Sequence, residues 1–372
     1  MSDYPNPRTS QVAITTPGGQ LVWLGTLGVA TGVTTSSTFP GGAEKMSCSL
    51  MVPAAYRSSV LEVGNTVDVY RGGHRIWNGV LDEPSPSTNG WAITAAGAGV
   101  QGQDFQATYT TWPAGQPDQV VNNAIARGLP WVNPGIGSPS GIWLGQQMDS
   151  GAQKVADTLN MACLRGGLSW FVNSGPGGAI GNSLSVAPLP TTPTRLLVAG
   201  NPVTRTNGGD VRGIWVRYQA TADDNTTGAV ATYATTEVIN TGHGGSEQYL
   251  DLSNAGVLTL TAAQNVAKAI LQIYQRSSFA GPFDLLPGSL LNMGGQPIDP
   301  GCEQAGEVYR LLLADFAYGG DTLPVTPVQF IGGAVEWNDE ALTGTVTPYQ
   351  QLDQSMSGML SGVSQTMTPI ST

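Results

Sequence analysis

The chain has 372 residues, enough for two or three domains at about 150 residues each. Hydrophobic residues make up 40% and can form a sizeable core, which excludes global disorder, whereas only 11% of residues are charged. The net charge is −11, and the 15 Lys and Arg form no cluster, which excludes tight, sequence-independent binding of nucleic acid.

Residues 1–104 are predicted to form antiparallel strands joined by tight turns. Apolar and polar residues alternate most clearly around Met46, Cys48 and Leu50, and Gly72-Gly73 marks a hairpin. The predicted strands are 11–16, 20–24, 45–52, 67–70, 75–81 and 91–95, with a polar loop at 84–90. Strands at this spacing predict a small antiparallel barrel or sandwich.

Residues 105–200 predict a small mixed α/β domain inserted between β-rich parts. A helix is expected over 117–127, and a capping box opens a second at Ser150, over 150–165. The segments 168–172 and 184–187 are predicted to form a hairpin. The Pro-rich stretch that follows closes the domain.

Strands return in residues 201–348, and residues 349–372 form a polar C-terminal tail. The predicted strands are 211–218, 229–233, 307–313, 328–334 and 342–347, with a long loop at 281–301. Thr261 and Gln264 have capping-box spacing and open the clearest helix of the chain. The tail is expected to be disordered or to dock on a partner as a short helix.

No pattern in the sequence predicts catalysis. The two histidines, His74 and His243, lie among glycines and lack metal or triad spacing. Three acidic pairs lie beside turn residues, where carboxylates are well solvated, and a glycosidase pair is the alternative. These pairs are Asp82-Glu83, Asp223-Asp224 and Asp339-Glu340. The glycine-rich segments match neither phosphate-binding nor dinucleotide-binding motifs, so we expect no enzyme activity, no cofactor, and no catalytic or metal site.

The cysteines and tryptophans favour structural roles. Cys48, Cys163 and Cys302 form no CxxC pair and are expected to be small apolar residues in the interior. Trp77 lies in an alternating strand and is predicted to be in the core. Three tryptophans in loops of the α/β domain are expected to be core or interface anchors, with sugar platforms as the alternative. They are Trp112, Trp131 and Trp143.

The N-terminal residues lack the basic and apolar segments of a secretory signal, and no apolar run approaches the roughly 20 residues of a membrane span. We therefore expect a soluble protein without export information of its own.

A series of motifs, in order, resembles the baseplate-hub and minor tail proteins of tailed phages. The first tube-forming domain of that family is similar to LEVGNTVDVYRGGHRIWNGVLDEP at 61–84, with FPGG at 39–42 upstream. The family's middle domain is similar to the helix 150–165 followed by LSWFVN and LSVAPLP. Its second tube domain resembles the helix 261–276, PIDPG at 297–301, and VQFIGGAVEW with LTGTVTP near the end.

The resemblance implies a mainly β fold with an α/β insertion, in which two tail-tube-like antiparallel barrels flank a small mixed domain. It implies domains at 1–104, 105–200 and 201–348, followed by the tail 349–372. The implied function is a structural ring of the tail tip or baseplate that adapts a six-fold tube to a three-fold tip. The resemblance carries no catalytic residue.

The implied partners are copies of the chain, with a trimer favoured, and the tail tube, distal tail, other tail-tip and tape measure proteins. DNA would only pass through the lumen, and the location would be the virion, after synthesis in the host cytoplasm. Two alternatives are other proteins of the same phage particle: a six-fold distal tail ring, or a receptor-binding accessory tail protein. A third, from another class, is a secreted carbohydrate-active enzyme.

Overall fold

The computed structural model is mainly β, which confirms the fold class predicted from the sequence. It describes residues 9–53, 58–87, 89–104, 111–112, 124–125, 132–133, 147–148, 154–166, 168–174, 182–198, 204–206, 211–220, 232–239, 246–274, 278–312 and 329–349. Of the predicted helix 117–127, only residues 124 and 125 are among these. The tail 349–372 lies outside them except for its first residue.

In the first part of the chain, the described residues form eight strands and two short α-helices. The strands are β1 (Gln11–Thr15), β2 (Leu21–Trp23), β3 (Val29–Thr38), β4 (Gly41–Met51), β5 (Thr66–Arg71), β6 (His74–Leu81), β7 (Ser85–Ser87) and β8 (Gly90–Gly97). The helices are α1 (Leu24–Leu27) and α2 (Ala98–Asp104). Two corrections follow: β3 was not predicted, and the expected polar loop at 84–90 contains β7, which pairs with β8.

The described residues of the middle part form five short strands and one helix, of which β9, β10 and β11 were not predicted. They are β9 (Thr111–Trp112), β10 (Val132–Asn133), β11 (Gln147–Met148), α3 (Val155–Gly166), β12 (Ser169–Asn173) and β13 (Asn182–Ala187). Strands β12 and β13 pair antiparallel, which confirms the predicted hairpin. Its strand β12 also runs beside β4 at Gly41 and Gly42, where a Cβ on Gly42 would lie 2.6 Å from the Val172 carbonyl oxygen. The glycines of the FPGG motif therefore permit this close approach.

In the last part of the chain, the described residues form eleven strands and one long helix. The strands are β14 (Arg195–Val198), β15 (Thr204–Thr206), β16 (Val211–Ala220), β17 (Thr232–Ile239), β18 (Ser246–Leu258), β19 (Ser278–Ala280), β20 (Phe283–Leu285), β21 (Leu290–Asn292), β22 (Val308–Leu312), β23 (Gln329–Asn338) and, closing the hairpin, β24 (Thr343–Pro348). Helix α4 spans Leu260–Tyr274. The prediction of a long loop over 281–301 is wrong, because this segment contains β20 and β21. No helix in the described ranges is long and apolar enough to cross a membrane.

One continuous sheet joins the first and last parts. Strand β3 pairs with β4 along one edge and with β23 along the other. Neighbouring strands run in the order β5, β6, β8, β4, β3, β23, β24, β20. The strand pairings of the described residues do not close either part into a barrel, and the two barrels remain a prediction.

Four hydrophobic clusters form the interior. The first lies within strands β1–β8 and includes Trp77, and the second packs α3 against β12 and β13. The third includes Tyr309 and Phe330, whose rings stack at 5.1 Å. The fourth packs α4 against the sheet β17–β16–β18, so this sheet and helix have a core of their own. The predicted domain boundaries remain predictions.

The N-terminus of α4 differs from the prediction by two residues. The helix begins at Leu260, and Thr259 Oγ1 accepts a hydrogen bond of 3.1 Å from the Ala262 N–H. Thr259 is therefore the N-cap residue, because its side chain satisfies a free amide of the first turn. The capping box predicted at Thr261 is wrong, since Thr261 already lies inside the helix.

Candidate functional site

An open groove crosses the continuous sheet where the first and last parts of the chain meet. Its volume is about 780 Å³, and strands β8, β4, β3, β23, β24 and β20 contribute to it. We call it the polar groove, and its lining is Thr34, Thr35, Ser36, Lys45, Met46, Ser47, Asp82, Thr94, Ala95, Asp284, Leu286, Glu336, Trp337, Asn338, Thr343, Gly344 and Thr345.

Small polar side chains form a row across the floor of the polar groove. Thr94 lies opposite Ser47, Ser47 opposite Thr34, and Thr34 opposite Asn338. The Oγ1 of Thr34 and the Oγ of Ser47 are 2.5 Å apart. Because side chains alternate between the faces of a strand, the intervening Met46 points into the core. The alternation in β4 thus gives one apolar face and one hydroxyl-rich face.

The charges at the polar groove are predominantly negative. Asp82, Asp284 and Glu336 line it, and Lys45 is the one basic residue in the lining. An acidic, hydroxyl-rich surface repels phosphates and offers them no cationic holding point. Among the described residues, no group of three or more His, Cys, Asp or Glu could hold a metal ion. The groove is therefore a polar surface of predominantly negative charge. Its lining residues do not form a cluster of reactive side chains that could act together on a substrate.

A buried arginine connects the two parts of the chain behind this groove. Arg71, at the end of β5, is 1% exposed, and its Nε donates to Asp299 Oδ2 at 2.8 Å. Its Nη1 donates to Asp339, and its guanidinium lies 5.3 Å from the Trp337 ring centroid. We call Arg71, Asp299, Asp339 and Trp337 the Arg71 junction. A Cβ on Gly301 would lie 2.5 Å from Arg71 Nε, so glycine is needed there.

Asp339 was predicted to be solvated beside a turn, and this was wrong. Its side chain is 8% exposed and accepts hydrogen bonds from Arg71, from Trp337 Nε1 at 2.6 Å and from the Ser10 N–H at 2.5 Å. Its neighbour Glu340 is exposed, as expected for a turn carboxylate. The three donors stabilise the carboxylate of Asp339 and give it a structural role.

A second charge cluster, in which Glu303 is buried and Arg195 and Glu307 are half-buried, lies between β14 and the segment before β22. Arg195 Nε donates to both carboxylate oxygens of Glu303, at 3.1 and 3.0 Å, and its Nη2 donates to Glu307 at 3.2 Å. The Glu303 side chain is 1% exposed. Burial raises the pKa of Glu303 to about 7, although Arg195 acts in the opposite direction.

The raised pKa of Glu303 predicts a loss of stability with rising pH. The folded chain retains a proton that the unfolded chain releases from about pH 4.5, so this contribution is complete below that pH and disappears as pH rises through about 7. Glu303→Gln removes the titration. Urea unfolding at pH 5 and pH 8 should show that the wild type loses about 1–3 kcal/mol more than the variant. Equal losses in both proteins would contradict the assignment.

The structure locates several other residues singled out in the sequence. His74 is exposed beside Gly72 and Gly73, whose φ angles of 59° and 82° are typical of a type I′ hairpin. Asp82 and Glu83 are exposed, and Asp82 lies at the polar groove. The structure does not bring these residues together into a catalytic arrangement within the described part of the chain.

Of the predicted core residues that the structure describes, Cys302 is a correction: it is only half-buried, because it packs at the margin of the first hydrophobic cluster. The others are in the interior. Trp77 is 2% exposed, and Cys48 and Cys163 are buried. Burial raises the pKa of Cys48 to about 12, which disfavours the reactive thiolate. Several predicted positions lie outside the described residues: His243, Asp223, Asp224, Trp131 and Trp143. Trp112 lies in β9.

Comparison with known proteins identifies the fold. No family model and no curated protein sequence matches the chain. Three solved structures are similar over nearly their whole lengths. The tail protein from Neisseria meningitidis MC58 has a TM-score of 0.58 at 11% identity, covering 91% of this chain and 95% of that one. The 43 kDa tail protein of prophage MuSo2 from Shewanella oneidensis has a TM-score of 0.52 at 14% identity, covering 91% of this chain and 97% of that one. Prophage tail protein gp18 from Listeria monocytogenes EGD-e has a TM-score of 0.56 at 9% identity, covering 96% of this chain and 99% of that one.

At such low identity these likenesses show the fold alone. The chain therefore shares the fold of these tail proteins, and the likeness includes the first and last parts with the material between them.

Proposed function

We propose that the chain is a non-enzymatic structural protein of a phage tail, and more specifically a hub ring at the tail tip or baseplate. The observation that carries the proposal is the fold shared with three tail proteins over at least 91% of the chain. The proposed neighbours are the tail tube, the distal tail and other tail-tip proteins, and the tape measure protein. The proposed location is the tail tip of the virion.

The continuous sheet supports a ring with two β modules per subunit. Strand β3 holds both modules in one sheet, and the Arg71 junction fixes their relative orientation behind it. Three copies of such a subunit would present β modules at six positions and so match a six-fold tube with three-fold symmetry. Closed symmetry also protects sheet edges that would otherwise be open to aggregation.

The polar groove is the proposed wall of the DNA channel. Its hydroxyl and amide groups interact well with water, and Asp82, Asp284 and Glu336 repel the phosphates of passing DNA. A cationic lining would instead bind DNA through counterion release and slow its passage.

Reversing the charges of this wall should create DNA binding. The variant Asp82→Lys/Asp284→Lys/Glu336→Lys changes the net charge from −11 to −5, as three carboxylates become three ammonium groups. Fluorescence anisotropy with a labelled duplex should show binding that weakens by at least about tenfold between about 50 and 200 mM salt, whereas the wild type does not bind.

The control variant carries the same charge change elsewhere: Glu62→Lys/Asp157→Lys/Glu237→Lys. We expect it to bind the duplex much more weakly, because its lysines lie on three separate elements, the turn after Leu61, helix α3 and strand β17, and form no cluster. Equal binding by both variants would show that DNA binding depends on the total charge and does not depend on placing the lysines in the polar groove.

The mass of the purified oligomer separates the ring models. Light scattering coupled to size exclusion should give three copies for a hub ring and six for a distal tail ring. A reconstruction of the particle that locates the chain away from the tail axis would instead favour a receptor-binding accessory role. Release of soluble sugar from cell-wall polysaccharide by the pure protein would overturn the structural proposal in favour of a carbohydrate-active enzyme.

A further inference from the structure

The unit formed by the sheet β17–β16–β18 and helix α4 presents an exposed aromatic pair that the ring proposal does not use. Trp215 of β16 and Tyr249 of β18 are paired neighbours, and they are 36% and 55% exposed. Helix α4 covers the opposite face of the same sheet, where Ile214 and Leu250 point into the core. Trp215 and Tyr249 therefore lie side by side on the outer face, on parallel strands that are about 4.8 Å apart.

Charged side chains surround this aromatic pair and are held in place by one another. Glu247 accepts hydrogen bonds from Trp215 Nε1 at 2.7 Å and from Arg212 at 2.7 and 3.0 Å. Hydrogen bonds from Trp215 and Arg212 lower the pKa of Glu247. The Nη1 of Arg217 lies 3.7 Å from Oδ2 of Asp251, and these two residues lie on the same strands as the aromatic pair. The face thus combines two flat apolar rings with fixed, ionised hydrogen-bonding groups.

We propose that this outer face, with Trp215 and Tyr249 at its centre, is a binding site for a neutral polysaccharide. The C–H faces of pyranose rings would pack on the two aromatic rings, and sugar hydroxyl groups would bond to Glu247, Asp251 and the two arginines. Such ligands bury apolar rings while satisfying every polar group around them. This inference does not depend on the ring or on its symmetry.

The composition of the face favours a sugar over a protein or a nucleic acid. The cores of protein interfaces are depleted of charge, and a dry interface here would have to desolvate Arg212, Glu247, Arg217 and Asp251. Phosphates are disfavoured because the arginines already pair with carboxylates. A hydroxyl-rich, uncharged ligand leaves both ion pairs intact and uses their remaining lone pairs and N–H groups.

The test uses the full chain on an array of neutral and acidic oligosaccharides, followed by a tryptophan-fluorescence titration with the tightest ligand. We expect a neutral glycan to bind, and Trp215→Ala or Tyr249→Ala to weaken it by about tenfold or more. Trp215→Phe retains an aromatic face and should lose less. Lys268→Ala is the matched control, because Lys268 is exposed on α4 behind the sheet and should not affect binding.

Three outcomes would overturn the proposal. The folded wild type could bind no glycan on the array, or could bind one with the same affinity after Trp215→Ala. Alternatively, Trp215→Ala could change the mass of the oligomer in the absence of sugar, which would make this face a contact between copies. Failure of the ring proposal appears separately, as a wild-type mass that corresponds to neither three nor six copies.

Discussion

Arg71→Met is expected to lower the free energy of unfolding by about 3–5 kcal/mol. The substitution leaves Asp339, with a side chain 8% exposed, without its positive partner, and it also removes the bond to Asp299. An unpaired buried carboxylate is costly because the lost hydration is no longer offset by an opposite charge. Urea unfolding followed by tryptophan fluorescence and circular dichroism would measure the loss. Arg71→Lys should give an intermediate loss, because one ammonium group cannot reproduce the forked geometry of the guanidinium.

The matched control for Arg71 is an exposed ion pair on the same protein. Arg217 and Asp251 are 45% and 44% exposed and 3.7 Å apart, so Arg217→Ala should cost less than about 1 kcal/mol. A loss in Arg71→Met no greater than in Arg217→Ala would show that the junction does not hold the two parts together. If the ring proposal is correct, Arg71→Met also lowers the fraction of assembled oligomer, because the orientation of the β modules is no longer fixed.

Strands with regular alternation could be predicted from the sequence because each has one buried and one solvated face. In β4, Met46, Cys48 and Leu50 are buried while Ser47 and Ser49 are not, and this alternation can be read directly. The Gly72-Gly73 hairpin was equally clear, since both glycines have the positive φ angles that such a turn requires. The two-residue periodicity of a strand is a local property of the sequence, so it can be recognised without knowing which strands are neighbours.

Strand β3 could not be predicted because its alternation is interrupted. Irregularities between Thr31 and Thr34 and between Thr35 and Ser37 shift its register against β4. Each bulge moves the following side chains to the opposite face, so a period-two pattern is lost. Its many Thr and Ser side chains also line the polar groove, which removes the apolar signal. The strand that joins the two parts of the chain is therefore the one with the weakest local pattern.

The candidate sites depend on contacts between residues far apart in the chain. Arg71 is separated by 228 residues from Asp299 and by 268 from Asp339, and Arg195 is separated by 108 from Glu303. No spacing rule connects such positions in a single sequence. The only one of these residues that the sequence singles out is Asp339, in the acidic pair Asp339-Glu340. The neighbouring residues do not show whether its carboxylate is solvated or is the buried partner of an arginine. For the same reason the pairing of Trp215 with Tyr249 becomes visible only in the sheet.

Trp77→Ala is expected to lower the free energy of unfolding by about 3–5 kcal/mol, comparable to the loss at Arg71. The indole is 2% exposed in the first core, and its Nε1 donates to the Ser36 carbonyl oxygen at 3.2 Å. Gly79 leaves room for it, since a Cβ there would lie 2.3 Å from the Trp77 ring. The truncation therefore removes apolar contacts and a hydrogen bond and leaves a cavity that the surrounding strands fill only in part.

Trp215→Ala is the control for Trp77→Ala because it removes the same atoms from an exposed face. Trp215 is 36% exposed, so its loss should cost about 1 kcal/mol or less in the same urea measurement. Trp77→Phe should lie between the two, since a phenyl ring fills part of the cavity but cannot donate to Ser36. Equal stability losses in Trp77→Ala and Trp215→Ala would contradict the assignment of Trp77 to a packed core. A large loss confined to Trp77 would instead show that strands β1–β8 depend on this one ring for their packing.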